Sequence, residues 1–381
     1  MLDLDPLIEK LANCPEYLKA FTIKLLFKSG CFTLDAPLNL LAFRDTADVE
    51  LEWDGVSGAT SYNIYQSDDG ITFVLIDTVG VVTSYTDLDP GAGYWYYYVT
   101  AINSAGESPA SNTVEVGPLD NLLNLAAAYS VRRLRSTYSG PLVNLRRDSD
   151  NAELDFSYDG NGDLDTAAIT TWLAGANGFI TTWYDQSGNG VNFVQATAAN
   201  QPAYAANQTN GKPAMVFTPA NSHHMIRASS FLPAGDMTAY TAMFKRVDHD
   251  GAVLYNVQAS GNRFLLNVSI TELETRVFRG AAFYTSTAGK IATSNSWHIA
   301  VAKVDATALA ASIYRDGTLG TIAANVGFSG ILGCVMGATT GISGFLDGSI
   351  AEALIFTAVH ADAIRDQLES NLGAYYGVTV V

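Results

Sequence analysis

Positive charge is scarce in this 381-residue chain. Lys and Arg number 21 against 38 Asp and Glu, giving a formal net charge of −17. A chain this acidic repels nucleic acid and anionic membrane, so neither is expected as a partner. Cysteine is scarcer still. Cys14, Cys31 and Cys334 form an odd, widely spaced set, which suits neither a disulfide framework nor a zinc site and reads as free thiols. No run of 18 apolar residues occurs, which excludes an ordinary membrane-spanning helix. Residues 1–30 begin acidic and lack an uninterrupted apolar stretch, which argues against a secretory signal peptide. Long heptad runs and fibre repeats are also missing, so the oligomeric state stays open.

What is present points to β-structure. Apolar residues make up 48% of the chain, enough for real cores, and 33 Gly and 19 Tyr accompany many Thr, Ser and Asn. That mixture favours strands joined by turns, and the length suggests two or three domains. Residues 1–36 differ from the rest. Leu4, Leu7, Ile8 and Leu11 recur at helical spacing after Asp5 and Pro6, and Tyr17, Leu18, Phe21, Leu25 and Leu26 form a second stripe ending near Gly30. Two short helices cannot bury such faces alone, so this segment is expected to dock on the following domains or on a partner.

Residues 37–116 alternate as strands. Val49, Leu51 and Trp53 share one face, as do Tyr62 and Ile64, and Asp69-Gly70 and Pro90-Gly91 mark turns. Pro37, Trp53, Tyr62, Tyr65, Leu88, Ala101, Asn103, Gly106, Glu107 and Ser108 stand where a fibronectin type III domain carries its signature residues. The segment resembles that family over about 80 residues, with one extra residue between Leu88 and Ala101. Phase counted back from Ala101 puts Trp95, Tyr97 and Val99 on one face and Tyr94, Tyr96 and Tyr98 on the other, so one aromatic face is a candidate contact surface. Residues 117–127 read as a linker.

Residues 128–381 form the last unit. Trp297, Ile299 and Val301 alternate, SIYRDGTLG reads as a strand running into an Asp316-Gly317 hairpin turn, and GFLDGSIAEALIF supplies short strands. Ile364, Leu368 and Leu372 then share one side of a terminal helix. This half resembles laminin-G and concanavalin A-like jelly rolls, in which two antiparallel sheets pack face to face. The expected fold class is therefore all-β, a fibronectin type III sandwich plus a concanavalin A-like sandwich, with a short helical N-terminal segment.

Residues 129–201 are the most specific stretch. YSVRRLRSTYSGPLVNLRRDSDNAELDF, DGNGDLDTAAITTWL and TTWYDQSGNGVNFVQATAANQP resemble the front of the catalytic domain of fungal-type arabinofuranosidases. The same block resembles phage and bacterial surface proteins not known to cleave anything. In WYDQSGNG, Asp185 and Gln186 offer the donor–acceptor mix a sugar hydroxyl requires, Trp183 or Tyr184 an apolar platform, and Asn189 a further amide. These five are the carbohydrate-contact candidates; the other reading is that they stabilise a sheet edge. Asp159, Asn161, Asp163 and Asp165 alternate in DGNGDLD like calcium-loop ligands. Leu164 and Thr170 depart from that pattern, and Asp165 also suits a helix cap. Calcium is the one cofactor the pattern admits.

Hydrolysis of a glycoside with retention needs two carboxylates about 5–5.5 Å apart. The arabinofuranosidase resemblance implies a nucleophilic glutamate in a segment opening with paired cysteines and Phe-Asp-Tyr-Gly. This chain has KRVDHDGAVLYNVQASGNRF there, with Asp248 and Asp250, and Glu272 and Glu274 follow in SITELETRVF. No catalytic residue is assigned. His223 and His224 are adjacent and poorly placed to chelate jointly. Arg132, Arg133, Arg135, Arg146 and Arg147 are expected to pair with Asp148, Asp150 and Glu153 or to grip a neighbouring subunit. The resemblances imply a phage virion structural protein, a capsid decoration, head fibre or tail component and not an enzyme. It would be multicopy, attached to other virion proteins through residues 1–36, and would display a lectin-like domain to host-surface glycan. The alternative is a secreted arabinofuranosidase-like glycoside hydrolase or glycan-binding protein.

Overall fold

The computed structural model describes residues 34–45, 48–88, 90–91, 93–120, 122–227, 235–246, 251–257, 263–268, 272–279, 282–290, 295–324, 333–338 and 344–381. The expected helical attachment within residues 1–36, with Cys14 and Cys31, falls almost wholly outside these residues. The described chain is all-β apart from two α-helices and two short 3-10 turns. It divides into two compact units, a smaller one containing Asp48–Leu88 and Trp95–Glu115 and a larger one containing Val116–Val381.

In the smaller unit Asp48–Glu52 pairs antiparallel with Ser84–Asp87. Ser61–Ser67 lies between Val74–Val79 and Trp95–Asn103. Strand alternation divides the tyrosines. Tyr97, Val99 and Ala101 are buried with Leu51, Tyr62 and Ile64, and Trp53 meets Tyr62 edge-on at 5.4 Å. The Tyr97 hydroxyl donates to Asp87 at 2.8 Å, satisfying the polar end of a buried ring. On the opposite face Tyr98 stacks on Tyr65 at 4.6 Å and touches Phe73.

The larger unit is built around Gly348–Phe356, a nine-residue strand with every residue buried. Met237–Lys245 pairs along one side, and Lys212–Phe217 and Leu125–Ser130 share the other. This sheet continues from Met237–Lys245 through Ser296–Asp305 and Ala310–Arg315 to Thr318–Ala324. Ala203–Thr209 carries the chain from Lys212–Phe217 to a second run of pairings through Gly178–Trp183 and Val143–Arg147. One hydrophobic core takes Ala239, Val301 and Ile350 from the first run and Trp183, Ile180 and Leu145 from the second. Asp316 and Gly317 turn the outer hairpin with φ of 51° and 84°, the left-handed pair that a two-residue loop between twisted strands requires.

Asp362–Tyr376 is the terminal helix. Leu368, Leu372 and Tyr376 are buried, Ile364 packs beside them, and Gly377 ends the helix at φ 69°. The Tyr376 ring lies parallel to Trp297, 6.4 Å away. Two titratable groups are trapped beneath this layer. His360 Nδ1 is in hydrogen-bond contact with the Tyr240 hydroxyl, 2.7 Å away. Burial, with Lys303 adding to it, pushes the His360 pKa down to about 4. Glu369 accepts from the Gly317 N–H at 3.1 Å and from Arg365 at 3.1 Å. Burial still outweighs those partners and pushes its pKa up to about 7.

The two shifts act in opposite directions. His360 binds its proton more readily in the unfolded chain, so its contribution is full above pH 6.5 and is lost as pH falls toward 4. Glu369 holds its proton more tightly in the fold, so its contribution is full below pH 4.5 and is lost as pH rises through 7. Between them the slopes largely cancel. Compared with the parent, Glu369→Gln is expected to gain stability with rising pH between pH 4.5 and 6.5, and His360→Asn to lose it. Each slope should approach about 1.4 kcal/mol per pH unit, read from urea unfolding across that window. Variants whose pH dependence matches the parent's are the contrary result.

Candidate functional site

The loop Trp183–Gly190 is held by the front of the larger unit. The Trp183 ring is fully buried, and its Nε1 donates to the Ser130 carbonyl at 3.2 Å. The Asp185 carboxylate accepts from the backbone N–H of Ala128 and Ser187, both at 2.9 Å, and of Val191 at 3.2 Å, and from the Ser187 hydroxyl. Gln186 uses both ends of its amide. Its Oε1 accepts from Leu134 N–H and its Nε2 donates to the Arg132 carbonyl, each at 2.8 Å. Asn189 donates to the carbonyls of Leu125 and Ala126. Of the five sugar-contact candidates, Trp183, Asp185 and Gln186 therefore face inward, where they join Leu125–Ser130 to the turn that follows it. Tyr184 and Asn189 keep surface.

Tyr184 begins a polar row on that surface. Its hydroxyl donates to Asp155 at 2.7 Å, Asn144 donates to the same oxygen at 2.8 Å, and Thr181 donates to Asn144. Partial burial and the Asp155 carboxylate push the Tyr184 pKa up to about 12, so its hydroxyl is protonated at neutral pH. The row presents hydroxyl, amide and carboxylate groups along neighbouring strands, the chemistry that recognises sugar hydroxyls.

The loop also braces a buried ion pair. The Arg132 guanidinium meets the Glu352 carboxylate with both arms, Nε to Oε2 at 2.9 Å and Nη2 to Oε1 at 3.2 Å. Ser130 and Tyr376 donate to Glu352 Oε2 at 2.7 and 2.9 Å, and Arg132 also donates to Asn371 at 2.6 Å. The guanidinium lies 4.3 Å over the Tyr375 ring. Burial works against the charge on Arg132, but Glu352 holds its pKa above the ordinary arginine value. The sequence reading passed over Glu352; the signal available was one acid inside a nine-residue run whose only other polar side chain is Ser349.

The calcium candidates are engaged separately. Asp159 accepts from the N–H groups of Asn161 and Asp163, closing its own turn. Asp163 pairs with Lys212 at 2.5 Å and accepts from Tyr375. Asp165 caps the helix Thr166–Leu173 through Ala168 N–H. No group of three or more His, Cys, Asp or Glu among the described residues is placed to hold a metal ion. Among the arginines, Arg147 meets one of the anticipated acids, Asp150, at 2.6 Å. Arg146 binds Gln201 and Asn151, and Arg135 the Ser187 carbonyl. His223 and His224 are buried, with His224 Nε2 beside the Gln195 amide at 3.0 Å. Asp248 and Asp250 lie outside the described residues. Glu272–Arg279 pairs with Ala282–Lys290 with a register shift between Glu272 and Glu274, which interrupts the simple alternation expected of those two positions.

The segment holding the loop, the ion pair's arginine and the polar row is the one that known proteins share. Residues 123–225 match the family model for the catalytic domain of alpha-L-arabinofuranosidase B. An alpha-L-arabinofuranosidase of Hypocrea jecorina is 37% identical over 100 residues, 25% of this chain and 20% of that protein. A probable alpha-L-arabinofuranosidase B of Aspergillus fumigatus is 40% identical over 73 residues, 19% of this chain and 14% of that one. The chain spans about a fifth or less of these relatives' length. Among solved structures, an arabinofuranosidase complexed with arabinofuranosyl-alpha-1,2-xylobiose superposes with a TM-score of 0.52 at 19% identity. That likeness covers 66% of this chain and 63% of the other, and it is a likeness of fold.

These matches overturn the reading as a phage virion structural protein without enzymatic function. The relatives are arabinoside hydrolases, and with that correction go the capsid, head-fibre and tail partners, the attachment role of residues 1–36 and the virion surface as location. The missing Cys-Cys segment is one short stretch, outweighed by the likeness over residues 123–225. No helix among the described residues is long and apolar enough to cross a membrane.

Glu352→Gln leaves Arg132 buried without its counter-charge and is expected to destabilise the fold by about 3–5 kcal/mol. The double variant Arg132→Met with Glu352→Met is expected to be more stable than Glu352→Gln, because no lone charge remains. Urea unfolding midpoints check both; a single variant as stable as the parent is the contrary result.

Proposed function

We propose that the larger unit is a glycoside hydrolase of the α-L-arabinofuranosidase type that takes terminal arabinofuranosyl groups from a glycan. The observation that carries this reading is the match of residues 123–225 to the arabinofuranosidase B catalytic domain, at 37% identity to one such enzyme. A fold likeness extending over 66% of the chain supports it. In this reading the larger unit is a concanavalin A-like jelly roll and the smaller a fibronectin type III-like accessory domain. A polymeric substrate places the protein's action outside the cell. Tyr184 and Asn189, with Asp155 and Asn144 beside Tyr184, supply the polar surface that meets the sugar hydroxyls. The buried Trp183, Asp185 and Gln186 hold that surface in place.

The test is hydrolysis of 4-nitrophenyl α-L-arabinofuranoside by the full chain. The expected result is saturable nitrophenolate release, with free arabinose released in parallel from arabinofuranosyl-substituted xylo-oligosaccharides. Absence of turnover, with no heat of binding to the same oligosaccharides, sinks the reading. Binding without turnover restricts it to recognition of the arabinosyl group. Tyr184→Ala is expected to raise KM several-fold while leaving the free energy of unfolding within about 1 kcal/mol of the parent.

A further inference from the structure

A second constellation lies at the outer hairpin of the larger unit, away from the loop Trp183–Gly190 in the sequence. Ser296 and His298 are two apart on the strand Ser296–Asp305, so their side chains leave the same face. The Ser296 hydroxyl is 2.8 Å from His298 Nε2. The other ring nitrogen, His298 Nδ1, is 2.7 Å from Asp316 Oδ2. Asp316 is itself fixed: its Oδ1 accepts from Ile299 N–H at 2.8 Å, its own N–H donates to the Ile299 carbonyl at 2.9 Å, and its carbonyl accepts from Val381 N–H at 3.0 Å.

The hydrogen bonds set the tautomer. With Nδ1–H donating to the carboxylate, neutral His298 leaves a lone pair on Nε2, aimed at the Ser296 hydroxyl. A histidine that merely braced a turn through Asp316 would not need a serine at its second nitrogen. The order of nucleophile, base and orienting acid, both links within 2.6–3.2 Å, is the arrangement that activates a serine. His298 and Asp316 keep 12% and 22% of their side-chain surface, so the group is sheltered but reachable.

We propose that Ser296, His298 and Asp316 form a nucleophilic serine site that hydrolyses carboxylic esters. Ser296 Oγ attacks the acyl carbon as its proton passes to His298 Nε2. The tetrahedral intermediate expels the alcohol oxygen, which takes that proton. Water then attacks the acyl-serine with His298 as base, releasing the carboxylic acid and restoring the serine hydroxyl. Asp316 is a positioning residue that holds the ring and stabilises its transient positive charge. This activity is independent of arabinoside cleavage.

The test is labelling of the full chain with a fluorophosphonate, followed by intact-mass measurement and peptide mapping, with 4-nitrophenyl acetate turnover in parallel. The expected result is one adduct per chain, on Ser296, absent in Ser296→Ala. Labelling and acetate turnover are expected to fall about 100-fold or more in His298→Gln. Asp316→Asn keeps an oxygen for Ile299 N–H and is expected to slow labelling without unfolding, as circular dichroism would read. No adduct on Ser296 of the folded parent overturns the proposal, and so does an adduct formed equally fast in a folded His298→Gln variant.

Discussion

The charge of Glu352 is the constraint on which the larger unit depends. Glu352 sits within a strand that has no exposed residue, so water cannot solvate it. A carboxylate there is tolerable only if donors converge on it. They come from two separate places in the chain, Ser130 and Arg132 from the front strand and the turn after it and Tyr376 from the last turn of the terminal helix, while Asn371 in that helix accepts from Arg132. The beginning and the end of the unit are thereby fastened to the same central strand. Tyr375 and Trp297 complete the arrangement, one under the guanidinium and one against Tyr376.

The Trp183–Gly190 loop extends this logic outward. Its acid and amide bind the backbone of residues 126–134, which carry Ser130 and Arg132. A loop that reads as a ligand-binding turn is thus the clamp that fixes the ion pair's arginine. The surface it leaves free, Tyr184 beside Asp155 and Asn144, is shaped by that clamp. The segment shared with arabinofuranosidases therefore supplies both scaffold and an exposed polar surface.

Much of the architecture was legible because it rests on local periodicity. The alternation of Tyr97, Val99 and Ala101, the Asp316-Gly317 hairpin and the Ile364–Leu368–Leu372 stripe each depend on residues near one another in the chain, and each is found in the structure. The roles of single polar residues were less legible. Asp163 was grouped with its neighbours in DGNGDLD, yet its partners are Lys212 and Tyr375, far along the chain. Arg132 was expected to meet nearby acids or a neighbouring subunit, and its guanidinium meets Glu352, far along the chain. Spacing reports which residues share a face; it does not report what another strand brings to that face. One absent segment likewise says less about functional class than a likeness spread over a hundred residues.

By itself the sequence determined the all-β class, the positions of turns and the burial of its alternating apolar residues, because steric and hydrophobic preferences act over a few neighbouring residues. Only the tertiary structure decided which charges pair and which polar side chains turn inward. It alone placed Asp316 against His298 and Ser296 across a hairpin. Those outcomes depend on register between strands, and register is set by the packing of the whole unit around a core and a buried carboxylate that no local window contains.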